Sequence, residues 1–315
     1  MAAPEEARVA PTEPLDVARG LENLPVSAWP PGAEPPPFQY SPDHVAGPGA
    51  DADPAQVTFP GCGCRAAPCA PGSCCCLRGR RNYDEALGLR AGARARPVFE
   101  CNALCACGEA CGNRVVQRGL RWRLQVFPAG AKGWGLRALD AIPEGQFVCE
   151  YAGEVLGPAE ARRRVGAQAP GEANYVLALR EHVCGGQVLE TFVDPARVGN
   201  VGRFLNHSCE PNLLMVPVRV DSMVPKLALF AARNILPQEE LSYDYSGRFL
   251  NPMDSEAPAR PEPGKARKPC HCGARSCAAL LPYDSSLFPP RETPACSQEG
   301  AAPALQWEKE QQPSS

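Results

Sequence analysis

The residues best equipped for chemistry are thiols and tyrosines. The chain carries 17 cysteines, and ten of them lie between Cys62 and Cys111. Their spacing is Cys62-x-Cys64-x4-Cys69-x4-Cys74-Cys75-Cys76, then Cys101-x3-Cys105-x-Cys107-x3-Cys111. An odd number of cysteines is a poor disulfide framework, and the opening MAAPEEARVAPTEP lacks the apolar run of an export signal. Clustered thiols in a reducing compartment read as metal ligands. Zinc takes four thiolates in a tetrahedron. Setting aside one of the three adjacent cysteines leaves nine, too few for three separate four-coordinate ions but enough if three sulfurs each bridge two ions. Three zinc ions against nine thiolates leave a net charge of −3, which nearby arginines would offset. The Cys-x-Cys pairs at 62/64 and 105/107 match Cys74 and Cys76, which makes Cys75 the spare. A closed all-thiolate site leaves no position for water, so this metal would stabilise the fold rather than catalyse.

A second group, Cys270-His271-Cys272-x4-Cys277, offers three thiolates and needs a fourth ligand. Cys209 can supply it and would tie the C-terminal segment back to the middle of the chain; His271 is the alternative, sterically awkward between two ligands. Three further motifs follow in order: Lys132-Gly133-Trp134-Gly135, then Arg203-Phe204-Leu205-Asn206-His207-Ser208-Cys209, then Glu240-Leu241-Ser242-Tyr243-Asp244-Tyr245. Tyr151 stands in Glu150-Tyr151-Ala152-Gly153-Glu154. Together, after the cysteine block, these motifs resemble the SET-domain methyltransferases of the pre-SET/SET/post-SET class, over roughly residues 58–282. In detail the chain resembles the methyltransferase half of a fusion with a mariner transposase. No transposase-like sequence follows residue 282, so transposon-end binding is not expected to carry over.

The resemblance implies a mainly β SET fold of small sheets with a pseudoknot at the RFLNHSC segment. A triangular three-zinc cluster held by Cys62, Cys64, Cys69, Cys74, Cys76, Cys101, Cys105, Cys107 and Cys111 would flank it on one side, and a zinc held by Cys209, Cys270, Cys272 and Cys277 on the other. It implies transfer of methyl groups from S-adenosylmethionine to a protein lysine. Lys132, Gly133, Trp134, Tyr175, Arg203, Asn206 and His207 match cofactor positions. Tyr245 resembles the catalytic tyrosine, and Tyr151 a second tyrosine of the lysine channel. Tyr243 falls where the family carries Phe or Tyr; a hydroxyl there leaves less room for added methyls, so mono- and dimethylation are expected. Physically, the enzyme must hold donor and amine in line and receive the amine neutral. Lysine has a pKa near ~10.4, and an aromatic channel disfavours the ammonium form. The cysteine block resembles that of enzymes acting on the histone H3 tail, which implies an H3 or nucleosome partner and a nuclear, chromosomal location.

The elements around these motifs change character along the chain. Proline is abundant, 36 residues with 13 in the first 60, and residues 1–55 carry nine acids and two bases. Residues 1–57 therefore read as a disordered tail. Residues 58–121 read as the pre-SET unit, with ten arginines against four acids between 78 and 123. That basic patch could face phosphate, including nucleosomal DNA, or acidic protein, and equally reads as a solvated face; the whole chain, at net charge −3, is no bulk nucleic-acid binder. Residues 122–246 carry strand-like runs at Phe147–Leu156, Asn174–Arg180, Gln187–Val193, Asn212–Val220, Lys226–Ala232 and Leu241–Tyr245, with a hairpin signal at Gly185-Gly186. One helix is expected over Pro158–Val165, with proline at its start. Residues 247–269 read as a linker, 270–282 as the post-SET segment and 283–315 as a loose tail. Cys149, Cys184 and Cys296 are expected to be unligated. No run reaches the roughly 18 apolar residues of a membrane helix.

Two rival functions share some of these features. A catalytically inactive zinc-stabilised chromatin-binding module predicts decay of the motifs, yet Asn206, His207 and Tyr245 are all present. A DNA-reading zinc protein predicts fingers with a recognition helix, which the Cys-x-Cys spacing does not match.

Overall fold

The computed structural model describes residues 14–65, 69–94, 96–169, 171–182, 186–246, 268–282 and 284–287. Gly185, Cys184, Cys296, residues 1–13, the linker over 247–267 and the tail beyond 287 lie outside the described residues. In chain order the strands are β1 (Val26–Ala28), β2 (Gln39–Tyr40), β3 (Val45–Ala46), β4 (Val98–Phe99), β5 (Leu124–Pro128), β6 (Trp134–Ala138), β7 (Phe147–Glu150) and β8 (Gly153–Leu156). Helix α1 (Pro158–Gly166) follows, then β9 (Leu177–His182), β10 (Val188–Gly199), β11 (Asn206–His207), β12 (Leu213–Arg219), β13 (Lys226–Ala231) and β14 (Ser242–Tyr243). They assemble into four small sheets, a mainly β fold as the motifs imply: β1-β5-β6, β2-β10-β8-β3 with β9 on β10, β4-β12-β13-β7, and the pair β11-β14.

The period-2 alternation of β13 explains why the chain needs two cores. Leu227, Leu229 and Ala231 face one cluster, which includes Leu136, Val148, Leu213 and Tyr243. Ala228 and Phe230 face another, with Val98, Val115, Phe147 and Val216. A strand buried on both faces reads as a continuous apolar run, which is the sequence LALFA. The second cluster also joins the cysteine-rich unit to the catalytic sheet: Tyr83, Leu89, Ala93 and Val98 pack into it, and β4 pairs in parallel with β12. The flanks of the thiol cluster thus do carry apolar packing. Helix α1 starts at Pro158 and buries Ala161 and Val165 against Leu156 and Phe192. Its Arg164 bridges Glu154, Glu160 and Asp194.

The expectation of a disordered tail over residues 1–57 is corrected from residue 14 onward. β1, β2 and β3 add parallel strands to β5, β10 and β8, so this segment edges two different sheets. Val17, Ala18, Val26, Ala28 and Tyr40 are buried in the main core. Asp16 accepts backbone N–H bonds from Ala18, Gly20 and Val26 at 3.0, 2.8 and 2.9 Å, closing the turn that delivers β1. A polar, proline-rich average concealed these few apolar residues, and strands the catalytic region already forms supply their partners.

Candidate active site and metal centres

The site is built around the β11-β14 pair. These two-residue strands run parallel, with Asn206 opposite Ser242 and His207 opposite Tyr243. Such a pairing joins segments 36 positions apart, and the structure fixes it from outside the pair. Asn212 donates to the Glu240 carbonyl and accepts from the Ser242 N–H, at 2.8 and 2.9 Å. Asn200 accepts from the Gly202 and Ala152 N–H groups at 3.0 and 3.2 Å. The chain entering the RFLNHSC motif passes so close to β7 that a Cβ on Gly202 would collide with the Glu150 carbonyl oxygen.

Residues two apart on an extended segment face the same side. Tyr243 and Tyr245 accordingly stand together, ring centroids 4.8 Å apart, and Tyr151 approaches Tyr243 at 6.0 Å. Tyr151 and Tyr243 are buried, whereas Tyr245 is 37% exposed, so the aromatic wall opens to solvent on the Tyr245 side. The Tyr245 hydroxyl donates to the Leu205 carbonyl at 2.7 Å, and the Tyr151 hydroxyl to the Tyr175 carbonyl at 2.6 Å. Each oxygen keeps its lone pairs as acceptors. Burial first, and neighbouring phenols second, push all three hydroxyls above the ordinary phenol range. They are neutral near pH 7 and act as oriented dipoles, not bases.

On the other side of β11, Asn206 donates to the Trp134 carbonyl at 3.1 Å and to Glu240 at 3.0 Å. Glu240 also pairs with the Lys132 ammonium. Gly133 lies between, at φ +79°, ψ −116°, where a Cβ would meet open space. Its glycine is required by backbone conformation rather than by crowding. A cation, a carboxylate and an amide thus converge beside the Trp134 backbone carbonyl, a set suited to a zwitterionic amino-acid group. Tyr175 and Arg203 form the next group. The guanidinium lies 4.1 Å from the Phe38 ring and 4.9 Å from the Tyr175 ring, and it donates to the carbonyls of Pro195 and Ala196. His207 differs from the cofactor-facing expectation in its side chain. Its Nδ1 accepts from the Tyr245 N–H at 3.2 Å and its Nε2 stands 3.4 Å from the Cys209 sulfur. Burial holds this imidazole below its ordinary pKa, despite Asp244 nearby. Both ring nitrogens are engaged within the protein. Glu240, Asn212 and Asn200 were not singled out from the sequence. Glu240 could have been found as the first residue of the ELSYDY motif, and Asn212 as a short polar side chain at a strand start.

The thiols gather as two separate centres. Sulfurs of Cys62, Cys64, Cys69 and Cys74 lie within 4.8 Å of one another, as do those of Cys62, Cys76, Cys101 and Cys105, and those of Cys62, Cys69, Cys101 and Cys107. Cys111 contacts Cys101 at 4.0 Å. Cys75 is exposed and joins none of these groups. Burial pushes the Cys69 thiol far above its ordinary range, and the hydrogen bond with Cys76 followed by burial does the same for Cys101. Such packed sulfurs cannot ionise together without cations between them, so the donor set fits thiophilic metal. Cys209, Cys270, Cys272 and Cys277 form the second centre, also within 4.8 Å, and His271 does not join them. Cys149 is buried in the main core.

Family models match at both ends of this architecture: the Pre-SET motif over residues 18–114 and the SET domain over residues 133–246. The Pre-SET match begins within the segment read from sequence as a tail. The Bos taurus histone-lysine N-methyltransferase SETMAR is 69% identical over 306 residues, 96% of this chain and 100% of that protein. The crystal structure of the methyltransferase domain of human SETMAR superposes with a TM-score of 0.78 at 61% identity, over 87% of this chain and 99% of that one. Arabidopsis thaliana SUVH6, solved in complex with SAM, superposes at 0.67 with 32% identity, over 85% of this chain and 55% of that one. KRYPTONITE, solved with DNA, an H3(1-15) peptide and SAH, superposes at 0.64 with 31% identity, over 84% and 53%.

Proposed function

The chain belongs to the SET-domain histone-lysine N-methyltransferases, and from that premise we propose how its own residues perform the transfer. Tyr245, Tyr243 and Tyr151 line the channel that receives the lysine. Lys132, Gly133, Trp134, Tyr175, Arg203, Asn206 and His207 hold S-adenosylmethionine, His207 through its backbone. The observation that carries this reading is the position of the β11-β14 pair, with the three tyrosines on one side and the Lys132–Glu240–Asn206 group on the other. The cofactor, when bound, supplies a methyl group already activated by a sulfonium. The protein has to orient the amine and receive it neutral, its proton having passed to solvent before it enters the channel. Aromatic walls disfavour the ammonium, and the lone pairs of Tyr245 and Tyr151 accept from the amine because their own protons are directed at Leu205 and Tyr175. Tyr243 adds a third hydroxyl to a buried channel, which favours mono- and dimethylation.

The metal is zinc, three ions in the N-terminal cluster and one at the C-terminal centre. Cys62, Cys69 and Cys101 recur among the four-thiol groups and are assigned as the bridging sulfurs. Cys64, Cys74, Cys76, Cys105, Cys107 and Cys111 are the terminal ligands. The domain limits that follow are 58–121 for the pre-SET unit, 122–246 for the SET domain and 270–282 for the post-SET segment, with the strands of residues 14–57 as edges of the SET sheets. The substrate is the histone H3 tail, presented by the nucleosome, in the nucleus. The KRYPTONITE complex with an H3 peptide supports H3. A calorimetric titration with S-adenosylmethionine tests the cofactor half. Asn206→Ala is expected to weaken binding about 10- to 100-fold, the loss of one strong hydrogen bond. Unchanged affinity in a folded variant would contradict the assignment.

A further inference from the structure

The ten arginines between residues 78 and 123 sort by what they touch. Arg114 and Arg118 serve the thiol cluster. Arg114 donates to the Asn102 carbonyl at 2.6 Å; burial opposes its charge, but the sulfurs of Cys107, Cys105 and Cys101 outweigh that and raise its pKa. Arg118 reaches the Glu109 and Cys111 carbonyls. Arg94 and Arg123 pair with Glu144 and Asp140. Arg78 covers the Phe99 ring, and Arg121 reaches Gln146. The other four, Arg80, Arg81, Arg90 and Arg96, converge on one depression of about 570 Å³, whose remaining walls are Pro71, Gly92 and Ala93.

No acidic residue lines this basin, and among the described residues none of the four arginines has a carboxylate within ion-pair distance. Arg96 is braced there by the Arg81 carbonyl and the Asn82 side chain at 3.3 and 2.9 Å, while its Nε is a buried donor without a partner. Burial, and after it the charge of Arg80, lower its pKa. Like charges gathered without a counter-ion are relieved by a bound anion. Planar guanidinium forks match the oxygens of phosphate. The lining has no aromatic ring on which an unpaired base could stack and no amide or carboxylate side chain to read a base edge. What remains is contact with a phosphodiester backbone, independent of sequence.

We infer that the basin formed by Arg80, Arg81, Arg90 and Arg96 docks the backbone of duplex DNA and so anchors the enzyme beside its histone tail. The anchoring half rests on the histone reading above; the DNA contact does not. The test uses the full zinc-loaded chain and the triple variant R80Q/R81Q/R90Q, three exposed side chains whose loss leaves Arg96 and Asn82 in place. Binding of a mixed-sequence duplex is followed by fluorescence anisotropy across a salt series. Each lost phosphate contact lowers the steepness of log K against log salt by about 0.9, so the variant is expected to be shallower by roughly 2 to 3. With nucleosomes its kcat/KM is expected to fall about 10-fold or more, and with H3 peptide to stay unchanged. An unchanged salt slope would overturn the proposal, and so would tighter binding of single strands than of duplex. Equal losses on peptide and nucleosome would also overturn the anchoring role. The titration requires no methyl transfer, so it stands even if the substrate is not a histone.

Discussion

On the proposed reading, the hydroxyl of Tyr243 limits the room in the lysine channel. Tyr243 is buried beside Tyr151 and Tyr245, with ring centroids 6.0 and 4.8 Å away. Tyr243→Phe keeps the ring and its packing and removes only the hydroxyl. The variant is expected to carry its product on to trimethyllysine, while the parent stops at one or two methyls. Mass spectrometry of a methylated H3 peptide reads the difference directly, and an identical product distribution would mean that Tyr243 does not limit the channel. At this scale the sequence was most legible. Three short motifs place Lys132, Asn206, Tyr243 and Tyr245, and the thiol spacing places the cysteines. Glu240 and Asn212 were not legible as site residues because a carboxylate or amide gains its role only from the partners the fold brings to it. The His207 ring shows the same limit: its neighbours, the Tyr245 N–H and the Cys209 sulfur, are set by the β11-β14 pairing.

At the scale of elements, runs rich in Val, Leu, Phe and Tyr marked β9, β10, β12, β13 and β14, one run over Phe147–Leu156 covered both β7 and β8, and the Pro158 start marked α1, because each carries its own apolar or capping signal. β1, β2 and β3 carry almost none. They are two or three residues long and exist because β5, β10 and β8 offer them backbone partners. No propensity argument can find a strand whose stabilisation is wholly tertiary. The turn at Asp16 is their anchor. Asp16→Ala leaves three backbone N–H groups without their acceptor and is expected to cost about 1–2 kcal/mol, the scale of a lost cap. In a thermal unfolding scan that corresponds to a midpoint lower by roughly 2–8 °C. An unshifted midpoint would mean that residues 14–28 dock without contributing to stability.

For the whole molecule, the two thiol groups stand where apolar packing is sparse, and on the proposed reading metal takes the place of a core there. Among the described residues the Cys62–Cys111 cluster contains Leu77 as its one buried non-cysteine member, so on that reading the bound zinc supplies its folding energy. The C-terminal centre joins Cys209, two residues beyond β11, to Cys270, Cys272 and Cys277, and so connects residues 268–282 to the segment that carries β11. Elemental analysis is expected to find about four zinc ions per chain. Cys75→Ser should leave that number unchanged. Cys209→Ser should lower it by about one and abolish methyl transfer with the N-terminal cluster intact. Full activity in a Cys209→Ser protein lacking one zinc would separate the C-terminal centre from catalysis. The relation between the sheets and the two metal centres was visible in sequence only as spacing; the cradle of apolar residues at 83–99 that fastens the cysteine unit to β12 and β13 was hidden by the surrounding glycine and arginine.

The most direct test of the central claim is mass spectrometry of H3 peptides and recombinant nucleosomes after incubation with the zinc-loaded protein and S-adenosylmethionine, beside Tyr245→Phe as the control. Removing the one hydroxyl that Leu205 orients is expected to slow transfer by about 100-fold or more. The account predicts one or two methyl groups on a defined H3 lysine, lost in the control. Methylation undiminished by Tyr245→Phe, or none on any histone lysine from a protein with full zinc content and bound cofactor, would contradict it.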